Sequence, residues 1–261
     1  MLNPTPKLMS SLTRMLSVLD LFSKEHTALT ADEIAAQLDL TRTTCYRYIA
    51  ELMHAGLLVS NSGIYALGPR IIQFDRRIRQ SDPLINAAAN ILAEVSKMTY
   101  SIGLLASMYN DQIINIHQTA PLEKDDLRYS RGEAVPTFRS CSSKVILANL
   151  KASRLKRIWS AHQHEPDVQA QGPDWHHFSD RMEAIRRNGY WISKQEIEPG
   201  AVGLAAPVFF SPGEVAGSMT LIFTHEHFAR FHEAELGRLL LDAARQASTA
   251  LQTATHPLQR A

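Results

Sequence analysis

The sequence predicts an α+β fold: a winged helix-turn-helix comes first, a linker helix follows, and a larger mixed α/β domain completes the chain. Residues 30–56 have the pattern of two short helices joined by a tight turn. A turn sequence at 61–63 then separates two short apolar segments, as in a hairpin. Further on, strand-like and helix-like segments alternate. The predicted boundaries are 1–67 for the first domain, 68–82 for the linker and 83–261 for the second domain.

Local capping signals mark both helices of the pair. Thr30 is placed to accept from the amide of Glu33, whose carboxylate reaches back to the amide of Thr30. Thr41 is a second N-cap and follows a turn of only two residues, Asp39 and Leu40. The apolar residues of the two helices recur at helical spacing: Ile34, Ala35, Leu38, Cys45, Tyr48, Ile49 and Leu52.

The outer face of the second helix carries hydrogen-bond donors, and its first carboxylate is Glu51. These donors are Arg42, Thr43, Thr44, Tyr46 and Arg47. A helix whose N-terminal end enters the major groove of DNA needs this composition, because arginine bonds guanine edges and threonine contacts phosphate or a thymine methyl. A solvated surface helix has a similar composition, so the neighbouring elements must decide between the two.

Those neighbours predict a winged helix-turn-helix. A helix of about three turns is expected from Ser11, since two short helices do not close a core alone. After the pair, Gly56 suits a helix C-cap, and segments 57–60 and 64–67 form a hairpin. Asn61 and Ser62 lie at its tip, where a wing touches the DNA backbone or minor groove.

Gly68 and Pro69 precede the linker helix, predicted over 70–79, whose arginines either contact flanking phosphates or face solvent. In the second domain, strands and helices interleave around an antiparallel or mixed sheet of about five or six strands. Helices are predicted at 84–98, 140–150, 153–160, 174–188 and 227–252, and strands at 100–109, 112–119, 127–130, 190–193, 203–210 and 215–224.

Composition excludes several classes of protein. Residues 1–80 hold nine Lys or Arg against seven Asp or Glu, a weak positive charge that suits a modest dimeric DNA binder. No apolar run approaches the roughly 20 residues of a membrane helix, so we expect a cytoplasmic protein. Two cysteines make no disulfide framework, and the eleven histidines lack metal-site spacing. The sequence predicts neither a metal centre nor a cofactor.

Four segments in order resemble the IclR family of bacterial transcriptional regulators, over nearly the whole chain. They are LTRTTCYRYIAELMHAGLL, IYALGPRI, VPTFRSCSSKVILANL and NGYWISKQEIEPGAVGLAAPVF. The resemblance implies a GAF-like effector-binding domain after the winged helix-turn-helix, and a homodimer or homotetramer on operator DNA that controls catabolic genes in response to a small metabolite. It matches the five outer residues of the second helix to the family's DNA-reading face. Asp39 and Thr41 stand where the family often has Gly and Pro.

The resemblance also implies an effector pocket beside the helix that begins near Arg139. Its first turn offers hydroxyls and backbone amides to a carboxylate or aromatic acid, through Ser140, Cys141 and Ser142. Ser193 and Gly203 match pocket positions of the family, and Ser218 and Thr220 share one face of the last strand. Arg139 is a speculative anion partner. Because Phe138, Arg139 and Ser143 depart from the family pattern, we expect a smaller or differently charged pocket, with Met108, Trp191 and Leu204 as apolar wall.

Three other interpretations remain open. An enzyme would use Cys141 as a nucleophile at a helix N-terminus, but no histidine lies in the neighbouring motif to act as its base. An interaction protein would direct its first domain at another protein rather than at DNA. A dimeric regulator would act without a ligand.

Overall fold

The computed structural model describes residues 10–119 and 130–255. By its internal contacts the chain divides into two compact units, residues 1–81 and 82–261. Residues 68–81 of the predicted linker fall at the end of the first unit, and Asp82 begins the second. No helix in the described part of the chain is long and apolar enough to cross a membrane.

The first unit is the predicted winged helix-turn-helix with a helix after it. Its elements are α1 (Ser11–Leu16), a 3-10 turn (Leu19–Leu21), β1 (Leu29–Thr30), α2 (Ala31–Gln37), α3 (Arg42–His54), β2 (Leu58–Asn61), β3 (Ile64–Leu67) and α4 (Arg70–Ser81). The first helix is shorter than the three turns predicted. It ends at Leu16 because the chain tightens into the 3-10 turn, and Val18 at that point is fully buried in the core.

The structure confirms the capping that the sequence predicted. The Thr30 hydroxyl accepts from the Glu33 amide at 3.3 Å, and a Glu33 carboxylate oxygen accepts from the Thr30 amide at 2.7 Å. Thr41 caps α3 by accepting from the Thr44 amide at 3.3 Å. In the turn between the helices, Asp39 adopts a left-handed φ of 48°, and Arg14 of α1 donates to its carbonyl at 3.0 Å.

The wing has one strand more than the sequence indicated. β1 pairs with β3, so the sheet is three-stranded in the order β1-β3-β2. Two residues are too few to show the alternation of a strand, which explains why β1 was missed. The hairpin turns at Ser62 and Gly63, whose φ values are both positive.

The second unit contains one six-stranded antiparallel sheet in the order β6-β5-β4-β9-β8-β7. Its strands are β4 (Ile102–Tyr109), β5 (Gln112–Thr119), β6 (Ala134–Val135), β7 (Trp191–Lys194), β8 (Ala201–Ser211) and β9 (Glu214–Thr224). Its helices are α5 (Pro83–Thr99), α6 (Cys141–Ala148), α7 (Ala152–His162), α8 (Pro166–Gln169), α9 (Trp175–Asn188), α10 (His225–Phe228) and α11 (Glu233–Thr255).

Three predictions for this unit need correction or fall outside the structure. The final helix is not continuous: it is split into α10 and α11, because Phe231 in the break packs its ring against Phe223 and His227. The segment between the predicted helices 153–160 and 174–188, where no element was predicted, contains the short helix α8. The strand predicted at 127–130 lies outside the described residues except for Ser130, which is not in a strand.

Helices cover both faces of the sheet. α5 and α11 pack together on one face, against Val202, Leu204 and Ala206 of β8. The residues of β8 that alternate with these three, such as Ala205, face α6 and α9 on the other side of the sheet. The α6 side of the sheet therefore holds Gly203 of β8 together with its cross-strand partner on β9, Ile222.

Candidate functional site

The outer face of α3 is the first candidate site. Cys45, Tyr48, Ile49 and Leu52 are buried, as predicted, so the opposite face is left to solvent. That face carries the predicted DNA-reading side chains, all exposed except the half-buried Thr44: Arg42, Thr43, Thr44, Tyr46 and Arg47. The Thr44 hydroxyl accepts from that of Thr41 at 2.9 Å.

The two arginines of this face have different surroundings. Arg42 lies 3.0 Å from the carboxylate of Asp32, a pair the sequence analysis missed because the two residues belong to different helices. The guanidinium of Arg47 lies over the Tyr48 ring, 5.6 Å from its centre. At the wing tip, Asn61 and Ser62 are exposed, and the Ser62 hydroxyl donates to the Asn61 side chain at 3.3 Å.

The second candidate site is a cavity in the second unit, at the N-terminal end of α6. About 40 Å³ of it is open to the centre of a water molecule, and all its unfilled space, including solvent at the mouth, is about 450 Å³. Five of the predicted effector-binding residues line it: Ser140, Cys141, Ser142, Ser193 and Gly203. The remaining lining residues were not predicted: Leu104, Asn115, Val135, Glu196, Ile197, Glu198, Ala201 and Ile222.

The other three predicted effector-binding residues are not among the lining residues. The Arg139 guanidinium donates to the backbone carbonyl of Glu196, at 3.1 Å from Nε, and lies 3.8 Å from Asp167. Thr220 bonds the Ser142 hydroxyl at 2.8 Å. Ser218 is fully buried and its hydroxyl has no partner among the described residues. Arg139 and Thr220 are engaged in hydrogen bonds within the fold and Ser218 is covered, so none of the three is part of the cavity wall.

The apolar part of the cavity wall also differs from the prediction. Leu204 faces the core on the other side of the sheet, and Met108 and Trp191 line separate depressions of the surface. In their place Leu104, Val135 and Ile222 form the apolar wall. Which apolar residues reach the cavity depends on how neighbouring strands pair, and a single sequence does not give that pairing.

Cys141 and Gly203 fit each other across the cavity wall. A Cβ atom placed on Gly203 would lie 2.6 Å from Cys141 Sγ and 3.3 Å from Ile222 Cδ1. The sulfur therefore fills the space that any other side chain at position 203 would need.

A buried ion pair closes the cavity on the side of the β7–β8 connection. Lys144 of α6 is 1% exposed, and its ammonium donates to the carboxylate of Glu196. Burial lowers the pKa of Lys144, against the opposing effect of Glu196. Because Arg139 also holds the Glu196 carbonyl, two basic residues fix this connection over the cavity. The sequence carried a partial signal, since Glu196 and Glu198 lie in the motif that resembles the family.

The cavity is poorly suited to thiol catalysis. Burial raises the pKa of Cys141 to about 12, although the amide of Ser142 and the charge of Lys144 act in the opposite direction. No histidine is among the described residues that line the cavity. The thiol is therefore protonated at neutral pH, and no histidine of the described cavity lining is present to act as its base.

This protonation state predicts slow thiol chemistry. We expect native protein at pH 8 to react with a disulfide reagent such as DTNB far more slowly than unfolded protein, because Cys45 and Cys141 are both buried. In denaturant both thiols should react at the rate of a free cysteine. Cys45→Ala protein separates the two sites. If Cys141 of native Cys45→Ala protein reacted at the rate of a free cysteine, that result would contradict the buried, protonated state of the Cys141 thiol.

Metal binding finds no support in the described residues, where no three His, Cys, Asp or Glu side chains are grouped to hold an ion. The two sites combine a helix surface rich in hydrogen-bond donors with a cavity at a helix N-terminus. A winged helix-turn-helix with such a surface, joined in one chain to a domain with such a cavity, defines a ligand-responsive transcriptional regulator.

Comparison with known proteins identifies the family. Residues 77–249 match the model of the bacterial transcriptional regulator IclR C-terminal domain, and residues 11–62 match that of the IclR helix-turn-helix domain. The chain belongs to the IclR family of transcriptional regulators. This confirms the family, the fold class and the role in transcription that the sequence predicted.

Relatives and solved structures agree with this assignment. The chain is 24% identical to the Pca regulon regulatory protein of Pseudomonas putida, over 90% of this chain and 80% of that protein. It superimposes on an IclR transcriptional regulator from Alicyclobacillus acidocaldarius with a TM-score of 0.77 and 21% identity, covering 94% and 98% of the two chains. An IclR homologue from Microbacterium hydrocarbonoxydans, solved with 4-hydroxybenzoate, gives 0.74 and 21%, covering 94% and 100%.

Proposed function

We propose that this regulator binds operator DNA through α3 and the wing, as a homodimer or homotetramer in the cytoplasm. The DNA-binding residues are Arg42, Thr43, Thr44, Tyr46 and Arg47 on the helix and Asn61 and Ser62 at the wing tip. The exposure of the helix residues, except the half-buried Thr44, and of both wing-tip residues supports this role. Because one recognition helix reads only a half-site, a full operator requires two copies of the chain.

We further propose that the cavity at α6 binds a small carboxylic acid, which controls the affinity for DNA of a repressor or activator of catabolic genes. The observation that carries this proposal is the grouping of Ser140, Cys141 and Ser142 at a helix N-terminus inside a cavity. A helix N-terminus favours an anion through its unpaired amides and its dipole. The relative solved with 4-hydroxybenzoate supplies the first compound to test. Catalysis forms no part of the proposal.

Ser193 gives the most direct test of the effector site. It is 5% exposed, and it lies opposite Gly203 on the neighbouring strand. We expect Ser193→Ala to weaken binding of an effector carboxylate by roughly tenfold or more, the effect of one lost hydrogen bond to a charged group, ~1.5–3 kcal/mol. The measurement is a thermal-shift screen with 4-hydroxybenzoate, short keto acids and sugar acids, followed by calorimetry on each hit.

Ser160→Ala is the matched control, because Ser160 is exposed on α7 and does not line the cavity. It should bind every hit as the natural chain does. Equal losses in both variants would reject Ser193 as a ligand contact. If no acid shifts the melting temperature while DNA binding is intact, the ligand-independent regulator becomes the better interpretation.

A further inference from the structure

One part of the α6 cavity wall is formed jointly by α6 and two strands of the sheet. Cys141 is the first residue of α6, Gly203 lies on β8 and Ile222 lies on β9, and all three line the cavity. Gly203 and Ile222 are direct partners on neighbouring strands. The side chains at these three positions therefore decide together how much space the cavity leaves for a ligand.

The sulfur of Cys141 occupies the space in front of Gly203. A Cβ atom on Gly203 would lie 2.6 Å from Cys141 Sγ, which is closer than non-bonded atoms approach each other in proteins. The backbone itself does not require a glycine, because Gly203 lies in a paired strand between Ser193 and Ile222. One side chain fits into this part of the wall, and in this chain it belongs to position 141.

The Cys141 thiol contributes volume to the wall rather than charge. Cys141 is 3% exposed, and burial raises the pKa of its thiol to about 12, so the group is neutral at physiological pH. A neutral thiol is a weak hydrogen-bond donor and packs as a small apolar group. We therefore expect a ligand to meet the sulfur as a steric boundary.

The space that remains in the cavity is small. The 40 Å³ open to the centre of a water molecule corresponds to roughly three or four water molecules, since one buried water needs about 10–15 Å³. A carboxylate group has three non-hydrogen atoms and takes up most of this space. Little room is left for the carbon chain of the acid, and an aromatic ring exceeds it.

We propose that Cys141 sets the size limit of the α6 cavity and restricts its ligand to a carboxylic acid of two or three carbons. This inference rests on the effector-binding role proposed above. With the carboxylate at the first amides of α6, the sulfur takes the space that a further methylene group of the acid would need. Cys141 is then the residue that determines which acids the regulator detects.

Calorimetry with acetate, propionate and butyrate tests this limit, because the acids differ by one methylene group at each step. The natural chain should bind propionate several-fold more tightly than butyrate. Cys141→Ala removes only the sulfur and should bind butyrate at least as tightly as propionate, since the longer acid fills the space left behind. Cys45→Ala is the matched control: it removes a buried sulfur from the first unit and should keep the preference for propionate.

The double variant Cys141→Ala/Gly203→Ala tests whether the volume of the sulfur, and not its chemistry, sets the limit. The Cβ atom added at position 203 lies within 2.6 Å of the position that the sulfur has vacated, so it refills most of that space. The double variant should therefore prefer propionate again, although it contains no thiol in the cavity.

Four results would overturn the size limit. They are an equal ratio of butyrate to propionate affinity in the natural chain and in Cys141→Ala, the same change of ratio in Cys45→Ala, a double variant that keeps the ratio of Cys141→Ala, and tighter binding of 4-hydroxybenzoate than of propionate by the natural chain. The last result would leave the effector proposal standing. Binding of no acid by any of these proteins would instead overturn the effector proposal, and the size limit with it.

Discussion

Replacing Arg47 by Ala should weaken binding to operator DNA by about 1–3 kcal/mol, a factor of roughly 5 to 150. Arg47 is exposed on α3, and its guanidinium lies over the Tyr48 ring without a hydrogen bond or ion pair to the described residues. Its guanidinium is therefore available to a base edge or a phosphate. Fluorescence anisotropy with the operator fragment and with a scrambled duplex measures the loss of specific and non-specific affinity separately.

Arg42→Ala should give a loss of the same size, but Arg42 has a competing partner. Asp32 lies 3.0 Å from the Arg42 guanidinium. For Arg42 to contact DNA, Asp32 must either be displaced from it or hold it in the orientation that DNA requires. Asp32→Ala removes a negative charge from beside the proposed DNA-binding face and should strengthen binding to any duplex at low salt. Losing one phosphate contact lowers the salt dependence by about one unit of slope, whereas losing a base contact lowers specificity.

Arg187→Ala is the control for both arginines, since Arg187 is exposed in the second unit. It should bind the operator with unchanged affinity. The assignment of α3 as the recognition helix fails if Arg42→Ala and Arg47→Ala both bind the operator as tightly as the natural chain. That result would favour an interaction protein instead.

Glu196→Gln should destabilise the second unit by about 3 kcal/mol, at the low end of what breaking a buried ion pair costs. Lys144 is 1% exposed and would keep a charge with no carboxylate partner, while Glu196 is 31% exposed and admits some water. The converse variant, Lys144→Met, should cost less, because the carboxylate left behind is partly solvated. Chemical denaturation measures the free energy of unfolding of each protein.

The dependence on pH separates lost charge from lost packing. Burial already lowers the pKa of Lys144, and Glu196 is the main group that raises it. In Glu196→Gln the pKa of Lys144 in the folded chain falls further below its value in the unfolded chain. At pH values between these two pKa values, the unfolded chain binds more protons than the folded chain. The loss of stability in Glu196→Gln is therefore greatest below the folded pKa of Lys144. It decreases by up to about 1.4 kcal/mol per pH unit as pH rises toward the unfolded pKa.

The double variant Lys144→Met/Glu196→Gln completes this test. It contains no buried charge, so it should regain most of the stability lost in Glu196→Gln and should not share its rise in stability with pH. Equal destabilisation in Glu196→Gln at pH 7 and pH 9.5 would show that packing, not the Lys144 charge, accounts for the loss.

The sequence predicted the helix-turn-helix with few errors because its signals are local. The capping box of α2 joins Thr30 and Glu33, three residues apart, and the buried face of α3 follows from helical periodicity. Where such signals are short or interrupted, prediction failed. β1 has only two residues, and the break between α10 and α11 depends on Phe231 packing against Phe223 of a preceding strand.

The cavity could be predicted only in part. Ser140, Cys141 and Ser142 are neighbours in sequence, so a pattern at one helix start identifies them together. Ser193 and Gly203 came from the family resemblance. The contribution of Glu196 was missed because it depends on contacts with Lys144 and Arg139, which are 52 and 57 residues away.

By itself, the sequence determined the order of most elements and the family, and it predicted the two sets of residues at α3 and at the start of α6. The tertiary structure decided which side chains are free to act. It engaged Arg139 with the Glu196 carbonyl, bonded Thr220 to Ser142 and filled the space beside Gly203 with Cys141. The reason is physical: secondary structure follows from interactions a few residues apart, whereas a cavity is bounded by strands and helices whose mutual register no local pattern encodes.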